Sequence, residues 1–577
     1  MKVLLLHPED ALPQSYAAPW DLVIDTGRAP AGTYERWSKQ AGCSVISIYD
    51  YAEETEDLYR LRELLRLGTG RVVDQWGIDW WEVLSLEIAL DLQQLVLIHR
   101  LAKELQPNCE LYSSRPQFLA TALQSVLKTR LVTLETRIQS VIRRITHYQR
   151  VVSNLDAIQL LDVLEDKFDG EHSIRRHFTR RGHVSGQPLI LLPSAYINVS
   201  RTALSYAEML PDHQFLLVHS RKNAKLTAQP KNVRSASLTP YFVPSDKRET
   251  ASLIELWNSL KKELTAREEF NTANAVGVLG RIPALLRWGI ALRDAWTQIF
   301  QSENVTACLS ADDSNPPSSI PLIMAKQRGL PALACHHGAL SYMMAIKANH
   351  ADFYLVKNEM ERDYLKVICQ VASEKLVVAA PARTKPNPVR WATRRRAPWL
   401  VFFSEPYASY GWRGDEVYRD LLPRFRSLAQ ACEMKLVFKL HPFETVQGCR
   451  KMLRRIIPKH EREIEVLEGE ASDGLWQNTG VALTVQSSVA LECAALDIPV
   501  FLCAWLRDAY SGYVSQYARF KVGHVLTCPE QIAEIPKLLE NGNGATFKQQ
   551  AVSSEAASHE LRQLFSADYS LPAVSNA

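Results

Sequence analysis

Two acidic side chains, Asp312-Asp313, and two imidazoles with a glycine, His336-His337-Gly338, each close a short apolar run near the middle of the chain. Carboxylates and imidazoles take up and return protons, and at adjacent strand ends they can converge within hydrogen-bond reach. Gly338 permits close backbone approach to a ligand there. Further along, Lys439-Leu440-His441-Pro442 and Gln486-Ser487-Ser488 close two more apolar runs. Serine hydroxyls and backbone amides at the start of a helix favour a phosphate. His441 can donate a hydrogen bond to such a group, Pro442 fixes the turn that aims it, and Lys439 adds positive charge. A third polar stretch, Pro193–Arg201, carries Tyr196, Asn198 and Arg201 into a helix start, a suitable place to hold a polar substrate. Plainer readings stand beside these. Asp312 and Asp313 can simply cap the next helix, as can the serines. A zinc site on the Asp and His residues is the weaker alternative, because no regular ligand spacing supports it.

These residues need elements to position them. From Met434 to Ala504 the chain alternates strand (Met434–Leu440), basic helix (Arg450–Ile457), strands (Ile464–Leu467 and Gly480–Val485), helix (Val489–Leu496) and strand (Val500–Ala504). Such alternation argues a parallel sheet, with ligands in the crevice beyond the carboxyl ends of its strands. The same alternation runs from Pro188 to His219 and from Val305 to Ala379. Short β-branched runs at Lys2–Leu6, Leu22–Asp25, Ser44–Ile48 and Cys109–Ser113 open the chain. Gln117–Leu164 departs from this pattern. It lacks Gly and Pro and reads as almost wholly helical, either a hairpin packed on its domain or a coiled-coil or membrane-surface element. Thr384–Pro398, rich in proline and arginine, reads as a linker. The expected units are 1–390, with a helical insertion at about 117–180, then 391–545, then a closing helix and tail over 546–577. The second unit opens on a strand ending in Ser404-Glu405.

Composition bounds the partners. The chain has 577 residues, too many for one core. Its hydrophobic fraction of 46% and charged fraction of 23% are those of an ordinary globular protein. A net charge of +4 makes no case for nucleic acid. The ten cysteines are scattered and form no Cys-x-x-Cys pair, which suggests buried thiols in a reducing compartment. With no signal-like start and no membrane-length apolar window, the expected location is cytoplasmic. Basic surface residues are compatible with peripheral association at the inner face of a membrane.

Two α/β units joined by a linker, with His441-Pro442 and Ser487-Ser488 in the second, resemble the GT-B class of glycosyltransferases. The nearest likeness is to bacterial enzymes of surface-polysaccharide synthesis (capsule, O-antigen and lipooligosaccharide), such as sialyltransferases and Kdo transferases with His-Pro and Ser-Ser motifs. The resemblance implies two Rossmann-like domains facing a cleft and a nucleotide-sugar donor, CMP-linked in preference to UDP-linked. It also implies a glycan or glycolipid acceptor, inversion at the sugar, and neither metal nor separate cofactor. In that reading Lys439, His441, Pro442, Gln486, Ser487, Ser488, Glu492, Ser404 and Glu405 hold the nucleotide, Glu492 accepting the ribose hydroxyls. Tyr196, Asn198, Arg201, His336 and Gly338 face the acceptor. The family's acidic-acidic-Gly base motif is absent, since Asp312-Asp313 precedes a serine. Asp313 is therefore the first candidate base, Asp312 the second and His337 the third, with His441 meeting the leaving group. Sugar-nucleotide epimerases and CDP-glycerol-type phosphotransferases share this architecture. A non-catalytic polysaccharide-assembly scaffold is the reading from outside enzymology.

Overall fold

The computed structural model describes residues 1–10, 20–105, 108–136, 141, 186–220, 228–338, 342–381, 397–407, 411–506, 513–540 and 554–566. Its apolar runs form three sheets. The first contains β1 (Lys2–Leu6), β2 (Leu22–Asp25), β3 (Ser44–Ser47), β4 (Glu110–Ser113) and β5 (Leu131–Thr133), in the order β3-β2-β1-β4-β5. The second contains β6 (Leu189–Ser194), β7 (Phe215–His219), β8 (Val233–Ser237), β9 (Val305–Ser310), β10 (Ala332–Cys335), β11 (Phe353–Val356) and β12 (Leu376–Val378). Its order is β12-β11-β10-β9-β6-β7-β8. The third contains β13 (Trp399–Phe403), β14 (Lys435–Lys439), β15 (Glu465–Leu467), β16 (Thr479–Thr484), β17 (Val500–Cys503) and β18 (His524–Leu526), in the order β15-β14-β13-β16-β17-β18.

The neighbouring strands run parallel, as in the pairs β1–β4, β6–β9 and β13–β16. Parallel sheets are covered on both faces, which explains why the central strands read as continuous apolar runs. Every residue of β6 is buried, as is every residue of β16. The α/β class and the two Rossmann-like domains facing a cleft are present, in the second and third sheets.

The expected 1–390 unit thus holds two sheets, the five-stranded one being additional. The long helix expected from Gln117 is also corrected. It covers Phe118–Leu127 and stops at Lys128, whose φ of 52° is left-handed, so β5 follows. A left-handed residue cannot continue a right-handed helix. Most of the remaining 117–180 segment lies outside the described residues, as does most of Thr384–Pro398. The closing helix, Ser554–Phe565, packs back on the second sheet, where Ala557, Leu561 and Leu564 join Tyr206, Leu210 and Phe215.

One apolar cluster runs through all three sheets, from Val3 and Leu5 through Leu191 and Leu216 to Val401 and Val437. It is tight at the helix Ile282–Ser302, where a Cβ on Gly289 would lie 2.4 Å from the buried Trp80 ring. No single described helix is long and apolar enough to cross a membrane. None of the ten cysteines is paired.

The first sheet is tied to both of the others. Arg62 Nη2 donates to the carbonyls of Ala345 and Ile368, each at 2.7 Å. Each sheet with its helices makes one unit, and Arg413, at the start of the helix Gly414–Ala431 in the third of these, reaches into the first sheet. Its Nε and Nη2 donate to the two carboxylate oxygens of Asp25, each at 2.7 Å, and its Nη1 and Nη2 donate to the carbonyls of Asp10 and His7. Both charges are buried. Removing one partner of such a pair strands the other, at a cost of about 3–5 kcal/mol. Arg413→Met should therefore lower unfolding stability in urea by about that amount. A change below about 1 kcal/mol would show that the pair contributes little.

Candidate functional site

In each sheet the strand order reverses once, at β1/β4, β6/β9 and β13/β16. Ligand crevices open beyond the carboxyl ends of the strands at such reversals. The polar residues singled out in the sequence fall at the second and third of them.

In the second sheet, Tyr196 follows β6, Asp312 follows β9, and His336-His337 follow β10. Tyr196 Oη donates to Asp312 Oδ2 at 2.5 Å and lies 3.1 Å from His337 Nε2. The Tyr196 and His337 rings meet edge to face at 5.0 Å, and the two histidine rings stack at 4.9 Å. Asp312 is held on both oxygens. Oδ1 accepts from the Ser314 amide and hydroxyl at 2.9 and 2.5 Å, and Oδ2 also accepts from Asn315 Nδ2 at 3.0 Å. Burial opposes ionisation of Asp312, but His337, His336 and the hydrogen bonds from Ser314 and Tyr196 outweigh it and hold the carboxyl below its usual range. Burial lowers both imidazoles, with Lys357 nearby contributing, so they are neutral near pH 7. At that pH the hydrogen bonds carry the carboxylate's stabilisation. A neutral imidazole beside an ionised carboxylate is a competent proton acceptor.

Asp313 points elsewhere. Its Oδ2 accepts from Lys347 Nζ at 2.6 Å and from Tyr354 Oη at 3.0 Å, and the Lys347 and Asp313 side chains are 1% and 0% exposed. Although burial disfavours its charge, Asp313 raises Lys347 and keeps it protonated. The first candidate base is thus corrected: a carboxylate sealed from solvent and neutralised by lysine does not meet an entering hydroxyl.

In the third sheet, the His441 loop is pinned from behind. Glu444 Oε2 accepts from the His441 amide at 3.1 Å and from Ser404 Oγ at 2.5 Å. Glu405 Oε1 accepts from the Gln486 amide at 2.9 Å and joins the loops after β13 and β16 across the reversal. Ser404 and Glu405 therefore brace the crevice. His441 Nδ1 accepts from the Phe443 amide at 3.2 Å, leaving Nε2–H as the ring's donor. Pro442 and Phe443 beside it are exposed. Ser487 Oγ accepts from the Val489 amide at 3.3 Å, whereas the Ser488 hydroxyl makes no capping bond to the helix Val489–Ala495. That helix has seven residues, so little dipole stands behind the serines, and Glu492 lies half-buried along it. Lys439 is the second correction. It turns back, donating to the carbonyls of Gly469 at 2.6 Å and Leu440 at 3.2 Å, and burial followed by Arg201 lowers its pKa.

The two crevices face each other. Arg201 Nη2, on the helix that follows Tyr196, pairs with Glu470 of the third unit at 2.8 Å. Asn198 Oδ1 accepts from Arg201 Nη1 at 3.5 Å, so both residues belong to this crossing. Among the described residues nothing lies within 4 Å of where a Cβ on Gly338 would stand, and its amide and carbonyl lie 3.3 Å from His336 Nδ1. Sequence reasoning missed Ser314, Asn315, Lys347, Glu444 and Glu470. The polar Ser-Asn after Asp312 and the acid three residues after His441 were local signals. Lys347 and Glu470 left none, because only the folded chain brings them to their partners.

No protein-family model matches the sequence, and no curated protein does. Among solved structures, the chain is similar to the wall teichoic acid polymerase TagF, at 12% identity over 74% of this chain and 98% of that one, with a TM-score of 0.38. It is similar to S. aureus MnaA solved with UDP, at 10% identity over 66% of this chain and 95% of that one, with a TM-score of 0.38. A UDP-GlcNAc 2-epimerase from Methanocaldococcus jannaschii matches at 10% identity over 65% of this chain and 98% of its own, with a TM-score of 0.37.

Two outcomes follow from the site's geometry. Asp313→Asn strands Lys347 and should cost about 3–5 kcal/mol in urea unfolding. Wild-type stability with lost turnover would instead return Asp313 to the chemistry. Burial, and then Lys439, lower His441 to about 4 from its ordinary 6.5. A histidine buried in its neutral form contributes stability that is present above about 6.5 and lost as pH falls towards 4. An NMR titration of the His441 ring should give a midpoint near 4. A midpoint near 6.5 would mean that the imidazole is freely solvated.

Proposed function

We propose that this protein is a glycosyltransferase that moves a sugar from a nucleotide donor to a surface-polysaccharide or glycolipid acceptor. One observation carries the reading. A proton-accepting cluster (Tyr196, Asp312 and His337) and an imidazole donor (His441) stand at strand ends at or next to the reversals of two sheets bridged by Arg201 and Glu470. Group transfer between two substrates needs a base on one side and a stabiliser of the leaving group on the other.

The nucleotide lies along the third sheet, against His441 and the Ser488 hydroxyl. The acceptor enters from the second, towards Gly338, where the backbone leaves room. His337 accepts the proton of the acceptor hydroxyl, and Asp312, 4.0 Å from its Nδ1, stabilises the imidazolium that forms. The oxygen attacks the anomeric carbon from the face opposite the nucleotide, inverting it. The carbon–oxygen bond to the donor phosphate breaks, and His441 Nε2–H meets the charge growing there. A CMP-linked sugar is the preferred donor on the strength of the His441-Pro442 and Ser487-Ser488 motifs, with a UDP-linked sugar as the alternative.

The test combines binding and turnover. Of CMP, CDP, UDP and GDP, the right nucleotide should raise thermal stability, by about 2.7 kcal/mol at a hundred times its Kd. His441→Ala should abolish that shift and slow acceptor-dependent nucleotide release by about 10²–10³. Retained turnover in His441→Ala would remove the leaving-group role. Conversion of the donor without acceptor would replace the transferase with an epimerase.

A further inference from the structure

We propose that Asp312, His336 and His337 form a binding site for a borderline divalent cation of the Zn²⁺ or Co²⁺ class. One ligand atom from each residue lies within 4.8 Å of the other two. A tetrahedral site with metal–ligand distances of about 2.0–2.2 Å sets its ligands about 3.4 Å apart, so modest side-chain rotation closes the site. The donor set selects the ion. Two imidazoles and one carboxylate suit zinc and its neighbours, whereas magnesium and calcium take oxygen ligands. Cys335, next in the chain, faces the apolar cluster of the second sheet and supplies no thiolate.

The surroundings hold the ligands as outer-shell partners hold those of metal sites. Ser314 and Asn315 fix the Asp312 carboxylate. His336 Nδ1 lies 3.3 Å from both the carbonyl and the amide of Gly338, and in the tautomer that donates to the carbonyl Nε2 keeps its lone pair for the ion. Tyr196 Oη, within reach of both Asp312 and His337, is placed either to complete the shell or to yield to a substrate oxygen. Three protein ligands with one exchangeable position is the pattern of sites that admit a further ligand.

This inference rests on ligand geometry and is separable from the transferase reading. The two are linked by competition, since the His337 lone pair cannot accept a proton while it binds a cation. The bound ion should therefore suppress transfer.

The experiment is a Co²⁺ titration of chelator-treated full-length protein, with no nucleotide or acceptor present. Expected are one bound equivalent and the visible bands of a low-coordinate Co²⁺ site, displaced by Zn²⁺ and lost in His336→Ala. Ser314→Ala keeps all three ligands and should weaken Co²⁺ binding by about 10- to 100-fold, with unfolding curves to confirm that each variant is folded. No bands in the wild type, or bands unchanged in a folded His336→Ala, would overturn the site. In a separate assay Zn²⁺ should reduce nucleotide release and a chelator should restore it. Undiminished release with the ion bound would overturn the competition while leaving the binding result in place.

Discussion

A guanidinium buried away from water must find acceptors for its donors and a counter-charge, and Arg413 finds all of them in a different unit from its own. Asp25 supplies the charge, and the carbonyls of His7 and Asp10 take the remaining bonds. These groups lie beyond the carboxyl ends of β1 and β2, beside the reversal of the first sheet, where His7 and Ser114 meet. In the other two sheets the corresponding place is a crevice lined with polar side chains. In the first, a side chain of the third unit fills it. The same physical opportunity, backbone and polar groups exposed at strand ends, thus serves as a joint in one sheet and as a candidate site in the other two.

That joint bears on the site because the first unit also grips the second. Arg62 donates to the carbonyls of Ala345 and Ile368, close to Lys347, whose ammonium holds Asp313. The cleft-forming sheets are therefore attached to a common third body. The pair that spans the cleft is of another kind. Arg201 and Glu470 are 34% and 69% exposed, and an exposed pair contributes between nothing and about 1 kcal/mol. It can be exchanged for a substrate at little cost, whereas the buried arginine contacts cannot.

Much of this was legible in the sequence. The period and boundaries of the runs around His441, Gln486, Asp312 and His336 located the strands, and a parallel sheet dictates which of their ends bears ligands. The local patterns could not say which strands pair. Runs at residues 2–6 and 189–194 look alike, yet they enter different sheets, so two sheets were read as one unit. β5 is three residues long and follows an apolar helix, so in the sequence its apolar residues read on from that helix, and the break at Lys128 shows only in the fold. Asp312 and Asp313 are adjacent and chemically identical. Both lie in the loop that follows β9, and the partners that separate their roles lie 116 residues before one and 34 after the other. No rule of spacing could have told them apart.

The rigidity of the attachment also changes how the cleft would work. A hinge closing over a substrate must break contacts between the moving bodies, and the buried Arg413–Asp25 pair, with the carbonyls of His7 and Asp10, is among the contacts that hold the first and third units together. The apolar cluster that runs through all three sheets adds to that resistance. Electrostatic stabilisation of a transition state does not require such a motion. It requires donors and charges already in place when charge develops. His441 is fixed by Glu444 and the Phe443 amide, and Asp312 by Ser314, Asn315 and Tyr196. Both halves are oriented by bonds made within their own units, so neither waits for the other to assemble it. The extra sheet at the start of the chain then has a physical consequence: it joins the two units that carry the candidate half-sites.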